Sequence, residues 1–335
     1  MNISLASIND ITDIMSFINT EWKENHILAR DYKFFLYEHQ NNDLVNFVIS
    51  KDKDMQINGV LGFIPTALNE ESDVATVIWK VAKNNEHPIL GIQLLHYLQK
   101  LKGIRTVFSV GINKNTIGIY KYLGMLTNEL DHFVMLNSNM SDFKIAKVAR
   151  PKNIPKIRFS SLQNYEIKTI NDDFELKNFD FEIYAQNIPC KNKEYFSKRY
   201  LQHPIYKYDV LGAFLKNKII GLLVSRVQCY DDFRVLRIVD FIGDEKCFVD
   251  FGRFIRDLIL NKGYEYADLH SFGLDNDNLN KAGFNIIDPL KEDLIIPNYF
   301  DPFIQKNIPI YFFADTNKIK NLKLFKADGD QDRPN

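Results

Sequence analysis

The sequence lacks the short motifs that would assign it to a class of enzyme or metal protein directly. Its three cysteines, Cys190, Cys229 and Cys247, include no closely spaced pair, and an odd count does not suit a disulfide framework. The histidines show neither HxH nor HExxH spacing, and GxSxG and P-loop motifs are absent. We therefore expect no metal site, no serine-hydrolase chemistry and a reducing environment.

The chain also lacks an excess of one charge and a long apolar run. Its 335 residues include 42 Lys and Arg against 43 Asp and Glu, for a net charge of -1. Non-specific binding to nucleic acid depends on surplus basic charge, so we expect no nucleic-acid partner. No run of about 18 apolar residues occurs, and the first 17 residues carry Asn and Asp where a signal peptide would be apolar. We expect a cytoplasmic protein with no membrane partner.

What the sequence does contain is an internal repeat. Hydrophobic residues make up 45% and charged residues 25%, which is typical of globular proteins, and the length suits two domains. Three glycines recur after 159 or 160 residues in the same local context: Gly62 with Gly221, Gly103 with Gly263, and Gly124 with Gly283. A constant offset at three separate positions indicates two copies of one unit.

Alternation and helical periodicity predict the elements of the first copy. The predicted strands are Leu44–Ser50, Gln56–Pro65, Asp73–Ala82, Arg105–Gly111 and His132–Asn137, and the predicted helices are Gly91–Leu101 and Thr116–Leu123. We expect His132–Asn137 to be the last strand of the first copy. The polar segment with Pro151 and Pro155 is the expected linker, and the final segment LFKADGDQDRPN is expected to be too polar for the core.

Two segments of the first copy resemble the GNAT superfamily of acyl-CoA transferases. The family pattern V-x-P-x-x-[RQ]-x-x-G-x-[GA] aligns from Val81 to Gly91, although Glu86 and Ile89 replace the basic residue and the first glycine. The pattern N-x-x-A-x-x-[LF]-Y-x-x-x-G-F aligns from Asn113 to Met125. The resemblance implies an α/β fold of two tandem GNAT-like domains, each a mixed, mostly antiparallel sheet flanked by helices.

The same resemblance implies a site for acyl-CoA in the first domain. A glycine at a helix N-terminus lets phosphates approach free backbone N–H groups. The residues implied for coenzyme A are Trp79, Val81, His87, Leu90, Gly91, Ile92, Asn113 and Tyr120. In the second copy, the segment Asp244–Phe251 has no glycine-rich loop and Leu279 stands at the Tyr120 position. We expect residues 1–140 to bind acyl-CoA, 141–160 to be a linker, and 161–335 to be a degenerate domain that shapes the acceptor pocket.

A closer resemblance is to tandem GNAT N-acyltransferases that modify nucleotide-linked amino sugars for bacterial surface polysaccharides such as lipopolysaccharide O-antigen. It is carried by the segments WKENHILARD, RIVDFIGD, IPNYFDPF and GDQDRPN. It implies transfer of an acetyl or 3-hydroxybutanoyl group to the amine of a dTDP-3-amino-3,6-dideoxyhexose. The residues implied for the acceptor are Trp22, His26, Asp240, Asn298, Tyr299, Phe300 and Arg333.

Each candidate residue also has a structural interpretation. Tyr120 is either the general acid that protonates the leaving thiolate or a packing aromatic, and His132 is either the base for the amine or a structural hydrogen-bonding group. Asp240 is either a ligand for a sugar hydroxyl or one half of a buried pair. The aromatic residues Trp22, Tyr299 and Phe300 either stack on a base or pack in the core. The tail residues Asp328, Asp330, Asp332 and Arg333 either have a substrate or interdomain role or belong to a frayed terminus.

Two other functions remain open at this point. A FemAB-like aminoacyl transferase is also a double GNAT, but its tRNA donor would call for a basic surface, which the net charge of -1 does not favour. A non-catalytic binder of acyl-CoA or nucleotide sugar is consistent with Glu86 and Ile89, which depart from the family pattern.

Overall fold

The structure of the chain is a computed structural model. The structure describes residues 2–68, 71–149, 159, 165–289, 291 and 293–335. The predicted linker residues Pro151 and Pro155 lie outside the described residues. Among the described helices, none combines the length and the apolar character needed to cross a membrane.

The first half of the chain begins with a strand and a group of short helices and continues as a sheet. Its strands are β1 (Asn2–Ser7), β2 (Gln40–Asn41), β3 (Leu44–Lys51), β4 (Ile57–Pro65), β5 (Ser72–Val81), β6 (Ile104–Ile112), β7 (Leu126–Glu129), β8 (Asp131–Leu136) and β9 (Lys147–Val148). Its helices are α1 (Ile11–Phe17), α2 (Ile27–Arg30), α3 (Tyr32–His39), α4 (Leu90–Gln99) and α5 (Ile117–Tyr122), with a π-helical turn at Ile18–Trp22.

The second half repeats the central part of this order. Its strands are β10 (Glu166–Ile170), β11 (Asp209–Leu215), β12 (Lys218–Tyr230), β13 (Phe233–Gly243), β14 (Tyr266–Phe272), β15 (Asn285–Ile286), β16 (Leu294–Ile295), β17 (Tyr299–Phe300), β18 (Phe303–Ile304), β19 (Tyr311–Ala314) and β20 (Leu324–Phe325). Its helices are α6 (Lys193–Phe196), α7 (Phe248–Lys262) and α8 (Asn276–Lys281).

The two sheets have matching strand orders, as the repeat predicts. The first runs β1-β3-β4-β5-β6-β19-β7, with β2 on β3, and the second runs β10-β11-β12-β13-β14-β8-β15, with β20 on β14. Pairing within both is antiparallel except for one parallel step, β5 with β6 and β13 with β14. Two of the repeated glycine pairs have positive φ in both copies, 86° and 67° at Gly103 and Gly263, and 77° and 88° at Gly124 and Gly283. Glycine is favoured there because a Cβ strains that backbone.

Each sheet receives one strand from the other half of the chain, which corrects one expectation. Strand β8 pairs with β14 in the second sheet, and β19 lies between β6 and β7 in the first. The segment His132–Asn137 is therefore a strand, but it does not complete the first sheet. An alternating strand pairs with any compatible edge, and here Phe133 and Met135 are buried in the core of the second sheet. The division of the chain at residues 141–160 stays a prediction.

Helices bury apolar faces on both sheets. Leu90, Leu94, Leu95 and Leu98 of α4 lie in one core cluster with Val48 and Leu61 of the first sheet. On the second sheet, α7 contributes Phe248, Phe251, Ile255 and Ile259 to a larger cluster. The i, i+3, i+4 spacing of these residues is the reason that both segments form helices in this context.

The C-terminal tail, defined here as residues 326–335, contradicts the expectation that it is too polar for the core. Lys326, Asp328 and Asp332 are each at most 2% exposed. Burial is tolerated because charges are paired: Lys191 Nζ lies 2.7 Å from Asp328, and Arg226 Nε lies 2.6 Å from Asp332. The tail is therefore part of the interior that joins the two sheets.

Candidate active site

A gap opens in the first sheet where its two parallel strands separate. Strands β5 and β6 pair only over Ser72–Ala75 and Ile104–Phe108. Opposite Gly62, β5 holds one residue more than β4, since Leu61 pairs with Trp79 and Phe63 with Thr76. Such a bulge bends a strand, and this bend carries the end of β5 away from β6. In the described part of the chain, no strand pairs with the β6-facing edge of β5 beyond Ala75, so backbone groups past Thr76 are free to bind a ligand.

The gap leads into a cavity with a volume of about 1190 Å³. Ser109 Oγ donates a hydrogen bond of 3.0 Å to the Thr76 carbonyl oxygen, which bridges the strands where they begin to diverge. The cavity holds most of the residues predicted for coenzyme A: Trp79, Val81, His87, Gly91, Ile92, Asn113 and Tyr120. Most of those predicted for the acceptor line it as well: Trp22, His26, Asn298, Tyr299, Phe300 and Arg333.

The N-terminus of α4 faces this cavity through Gly91. No side chain caps the helix, so its first N–H groups retain capacity for an anion. The backbone at Gly91 needs no special φ, and an added Cβ would meet only the Trp79 indole, 3.4 Å away. The fold therefore tolerates a side chain at this position. The space that the missing side chain would occupy is part of the cavity. Leu90, the first residue of α4, points instead into the core between the helix and the first sheet and is fully buried there. Its prediction as a ligand contact is therefore corrected.

Tyr120 lies on α5 at the cavity wall, packed between aromatic rings. Its ring stacks on Phe313 with centroids 4.1 Å apart and lies 5.9 Å from Trp79. Burial raises the pKa of Tyr120 to about 12, and the nearby Thr116 side chain opposes the shift. The hydroxyl therefore stays protonated at neutral pH and is able to donate a proton. Phe313 comes from the exchanged strand β19, so its contact with Tyr120 was not available to sequence reasoning.

The corresponding gap in the second sheet is filled by the protein itself. Strands β13 and β14 pair over Leu236–Ile238 and Ala267–Leu269. Beyond that point β20 pairs with β14, and the tail follows directly. The helix position equivalent to Tyr120 is Leu279, which is fully buried in the core. Within the described residues, only the first gap is open to a ligand.

His132 lies outside the cavity, which corrects its prediction as the base. Its Nε2 is 3.0 Å from Asp268 Oδ2, and its ring stacks on His270 at 3.7 Å. Burial lowers the pKa of both histidines. This contact ties β8 to β14, so the structural interpretation of His132 accounts for its position.

The same cluster is the group of described residues whose geometry would suit a metal ion. The ligand atoms of His132, Asp268 and His270 lie within 4.8 Å of one another. However, Arg237 donates to both oxygens of Asp268, at 3.0 and 2.8 Å. A cation would meet a carboxylate that is already paired and a buried guanidinium beside it, so the cluster does not suit a metal.

Asp240 is also a structural residue and does not line the cavity. It is fully buried, with Lys191 Nζ 2.5 Å from its Oδ1 and the Tyr200 hydroxyl donating to its Oδ2. Of the two interpretations of Asp240, the buried pair is the one that the structure supports. Its prediction as an acceptor ligand is corrected accordingly.

The sequence analysis missed one buried lysine of the cavity wall. Lys326 lines the cavity and donates to the Asn298 side-chain and backbone carbonyl oxygens, the latter at 3.1 Å. In the described part of the chain, no carboxylate lies within ion-pair distance of its Nζ. Burial and the nearby charge of Arg237 lower its pKa well below the usual value. The sequence offered only one signal for this residue, a lysine close to three aspartates of the tail, and that pattern is typical of an exposed polar terminus.

Comparisons with known proteins agree with the fold. No protein-family model and no curated protein matches the sequence. A GCN5-related N-acetyltransferase from Anabaena variabilis ATCC 29413 is similar in structure, with a TM-score of 0.58 and 12% identity over 93% of this chain and 72% of that chain. A conserved protein of unknown function from Enterococcus faecalis V583, proposed to be an N-acyltransferase, has a TM-score of 0.56 and 10% identity over 96% and 73%. A proposed acetyltransferase from Pyrococcus horikoshii has a TM-score of 0.50 and 10% identity over 95% and 90%.

At these identities the comparisons establish a shared fold. The chain has the fold of GCN5-related N-acetyltransferases, arranged as two mixed, mostly antiparallel sheets flanked by helices. The predicted fold class is confirmed.

Proposed function

We propose that the protein is an acyl-CoA-dependent N-acyltransferase that transfers its acyl group directly to an amine. The observation that carries this proposal is the gap between β5 and β6, which opens beside an uncapped helix N-terminus and a buried tyrosine. A pantetheine arm has amides that pair with free strand edges, and a pyrophosphate suits a helix N-terminus. The first sheet offers a free strand edge and a helix N-terminus in one cavity.

Residues of the same wall supply the steps of acyl transfer. The α4 N-terminus at Gly91 would hold the pyrophosphate of the donor, and a backbone N–H of Trp79–Val81 would stabilise the oxyanion of the tetrahedral intermediate. Tyr120 would donate its proton to the departing thiolate, since its raised pKa of about 12 keeps that proton in place until the sulfur becomes basic. The acyl group would be acetyl or a short hydroxyacyl group.

For the acceptor, we infer a nucleotide-linked amino sugar of the dTDP-3-amino-3,6-dideoxyhexose type. Aromatic rings of Trp22, Tyr299 and Phe300 line the cavity and offer faces for a base. Lys326 is a buried amine that forms no ion pair within the described residues, and a phosphate would supply negative charge at contact distance and favour its protonation. The sequence resemblance to amino-sugar N-acyltransferases points to the same acceptor class.

Calorimetric titration with acetyl-CoA tests the proposed donor site. Gly91→Val should weaken binding at least tenfold, because its branched side chain would stand at the helix N-terminus that the phosphates approach. Gly118→Val is the matched control: Gly118 is a helical glycine of α5 with no atom within 4 Å of an added Cβ, and it does not line the cavity. Equal affinity of the wild type and Gly91→Val would contradict the phosphate site.

Hydrogen exchange with and without CoA tests which half binds the donor. Protection should centre on Val81–Ile92, because only the first gap is open. Protection centred on Asp244–Arg253 instead would reject the assignment of the donor site to the first sheet.

A further inference from the structure

The three aspartates of the C-terminal tail have different surroundings. Asp328 is ion-paired with Lys191 at 2.7 Å, and Asp332 is ion-paired with Arg226 at 2.6 Å. In the described part of the chain, the carboxylate of Asp330 forms neither a hydrogen bond nor an ion pair. Its side chain lines the cavity and is open to solvent there. Asp330 is therefore the tail carboxylate that is free to bind a ligand.

The backbone on both sides of Asp330 is fixed against β6. A Cβ on Gly329 would clash with the Val110 carbonyl oxygen. Gly111 has a φ of 95°, and a Cβ there would lie 2.6 Å from Gln331 Nε2. Val110 and Gly111 lie just beyond Phe108, the last residue of β6 that pairs with β5. The carboxylate of Asp330 is thus held by a rigid tail beside the point where the two parallel strands separate.

The charged groups around Asp330 are consistent with a proton acceptor. The side chain is exposed within the cavity, but the protein that surrounds it there reduces its hydration and so raises the pKa of this carboxyl to about 6, with Arg333 of the tail lowering it and Glu38 of α3 raising it. Other charged or titratable groups line the same cavity from both halves of the chain: Lys23, His26, Arg30, His87, Tyr120, Tyr206, Arg226, Tyr299, Asp301 and Lys326. At pH 7 a carboxyl with this pKa is mostly ionised, yet it is a stronger base than an ordinary aspartate.

The cavity-wall histidine that was predicted for the acceptor, His26, is less suitable as a base. His26 has its pKa lowered to about 4 by burial, and its Nδ1 accepts a hydrogen bond of 3.2 Å from the Leu28 N–H. It is a weaker base than Asp330, with one of its two nitrogens already engaged.

We propose that Asp330 is the general base, which binds the ammonium group of the acceptor and removes its proton. This inference rests on the proposed function. The ammonium passes one proton to the Asp330 carboxylate, and the neutral nitrogen attacks the thioester carbonyl carbon. A C–N bond forms and the C–S bond breaks, the thiolate takes the Tyr120 proton, and the nitrogen returns its second proton to the Tyr120 oxygen. The products are the amide and free thiol, and Asp330 then releases its proton to solvent.

The test compares wild type with Asp330→Asn, and uses Asp301→Asn as the matched control. Asp301 is the other aspartate that lines the cavity, and it is exposed. Acetyl-CoA binding is measured by calorimetry, and release of the thiol is measured from pH 5.5 to 9 with dTDP-3-amino-3,6-dideoxyglucose as the probe amine. Because Asp330 has no partner to lose, we expect all three proteins to fold and to bind acetyl-CoA within about twofold.

We expect Asp330→Asn to lower kcat on the order of 10²–10⁴-fold. Wild-type kcat should level off above an apparent pKa near 6, whereas the rate of the variant should continue to rise with pH as solvent deprotonates the amine. Substitution of a residue with only a structural role would not change the shape of this dependence of kcat on pH. A variant with the wild-type rate and profile would overturn the role of Asp330.

A second measurement separates this inference from the proposed function. The slow transfer of the acetyl group to water, without any amine, should also fall in Asp330→Asn because the same carboxylate would deprotonate the water. Wild-type protein that does not bind acetyl-CoA would refute the proposed function itself. Wild-type protein that binds acetyl-CoA but rejects the probe amine would refute that acceptor only, and the hydrolysis rates would still decide on Asp330.

Discussion

Replacing Tyr120 with phenylalanine separates its proposed chemical role from its packing role. The substitution removes one hydroxyl and leaves the ring, so the stacking on Phe313 at 4.1 Å is retained. A typical intramolecular hydrogen bond contributes about 0.5–1.5 kcal/mol to stability, which sets the scale of what the loss of one hydroxyl can cost. We therefore expect the free energy of unfolding to fall by about 1 kcal/mol or less.

The expected effect on turnover is much larger than the effect on stability. Loss of a general acid costs on the order of 10²–10⁴ in rate. Since the pKa of Tyr120 is about 12, its proton should be available throughout a neutral or mildly basic assay, and the loss should be independent of pH between 7 and 9. The affinity for acyl-CoA should remain nearly unchanged because no ligand-facing surface other than the hydroxyl is removed.

The assay is release of free CoA thiol, measured for Tyr120→Phe beside Tyr122→Phe. Tyr122 is on the same helix, is 87% exposed and does not line the cavity, so its hydroxyl should be dispensable. Turnover of Tyr120→Phe at the wild-type rate would refute the reasoning, because the thiolate would then leave unprotonated or take its proton from water. Equal losses in both variants would indicate a general effect on α5.

Three further results are expected from the buried residues. Lys191→Met should destabilise the fold by about 3–5 kcal/mol in urea unfolding, because Asp240 and Asp328 would remain buried without their cation, and a loss below 1 kcal/mol would contradict this. Leu279→Ala should lower the free energy of unfolding by about 2–5 kcal/mol, because it leaves a cavity in the core of the second sheet, and it should leave the affinity for acetyl-CoA unchanged. Weakened binding would place the donor site in the second half of the chain instead. Acidification from pH 6.5 to 4 should lower the thermal midpoint of unfolding. Burial lowers the pKa values of His26, His39 and His203 to about 4 in the folded protein, so the unfolded chain takes up protons at a higher pH than the folded one. A midpoint that rises on acidification would contradict this.

Local patterns in the sequence were enough to predict the repeat and the four consecutive strands β3 to β6 of the first sheet. Helical spacing at Leu94, Leu95 and Leu98 and alternation in the strands depend only on neighbouring residues, so they can be read without a partner. The loop and helix pattern from Val81 to Gly91 likewise placed Gly91 at the start of α4, where it lines the cavity. These features follow from backbone periodicity and from the small size of glycine.

Only the tertiary structure decided which edges the strands join and where the polar tail lies. Strand β8 has an apolar pattern that would fit either sheet, and its pairing with β14 removes His132 from the cavity. The tail is polar by composition, yet it is buried because Lys191 and Arg226, distant in sequence, neutralise two of its aspartates. The third, Asp330, differs from them only in what the fold brings near it. Contacts between residues this far apart in sequence have no local signature, so the sequence alone could not distinguish the free aspartate from its paired neighbours.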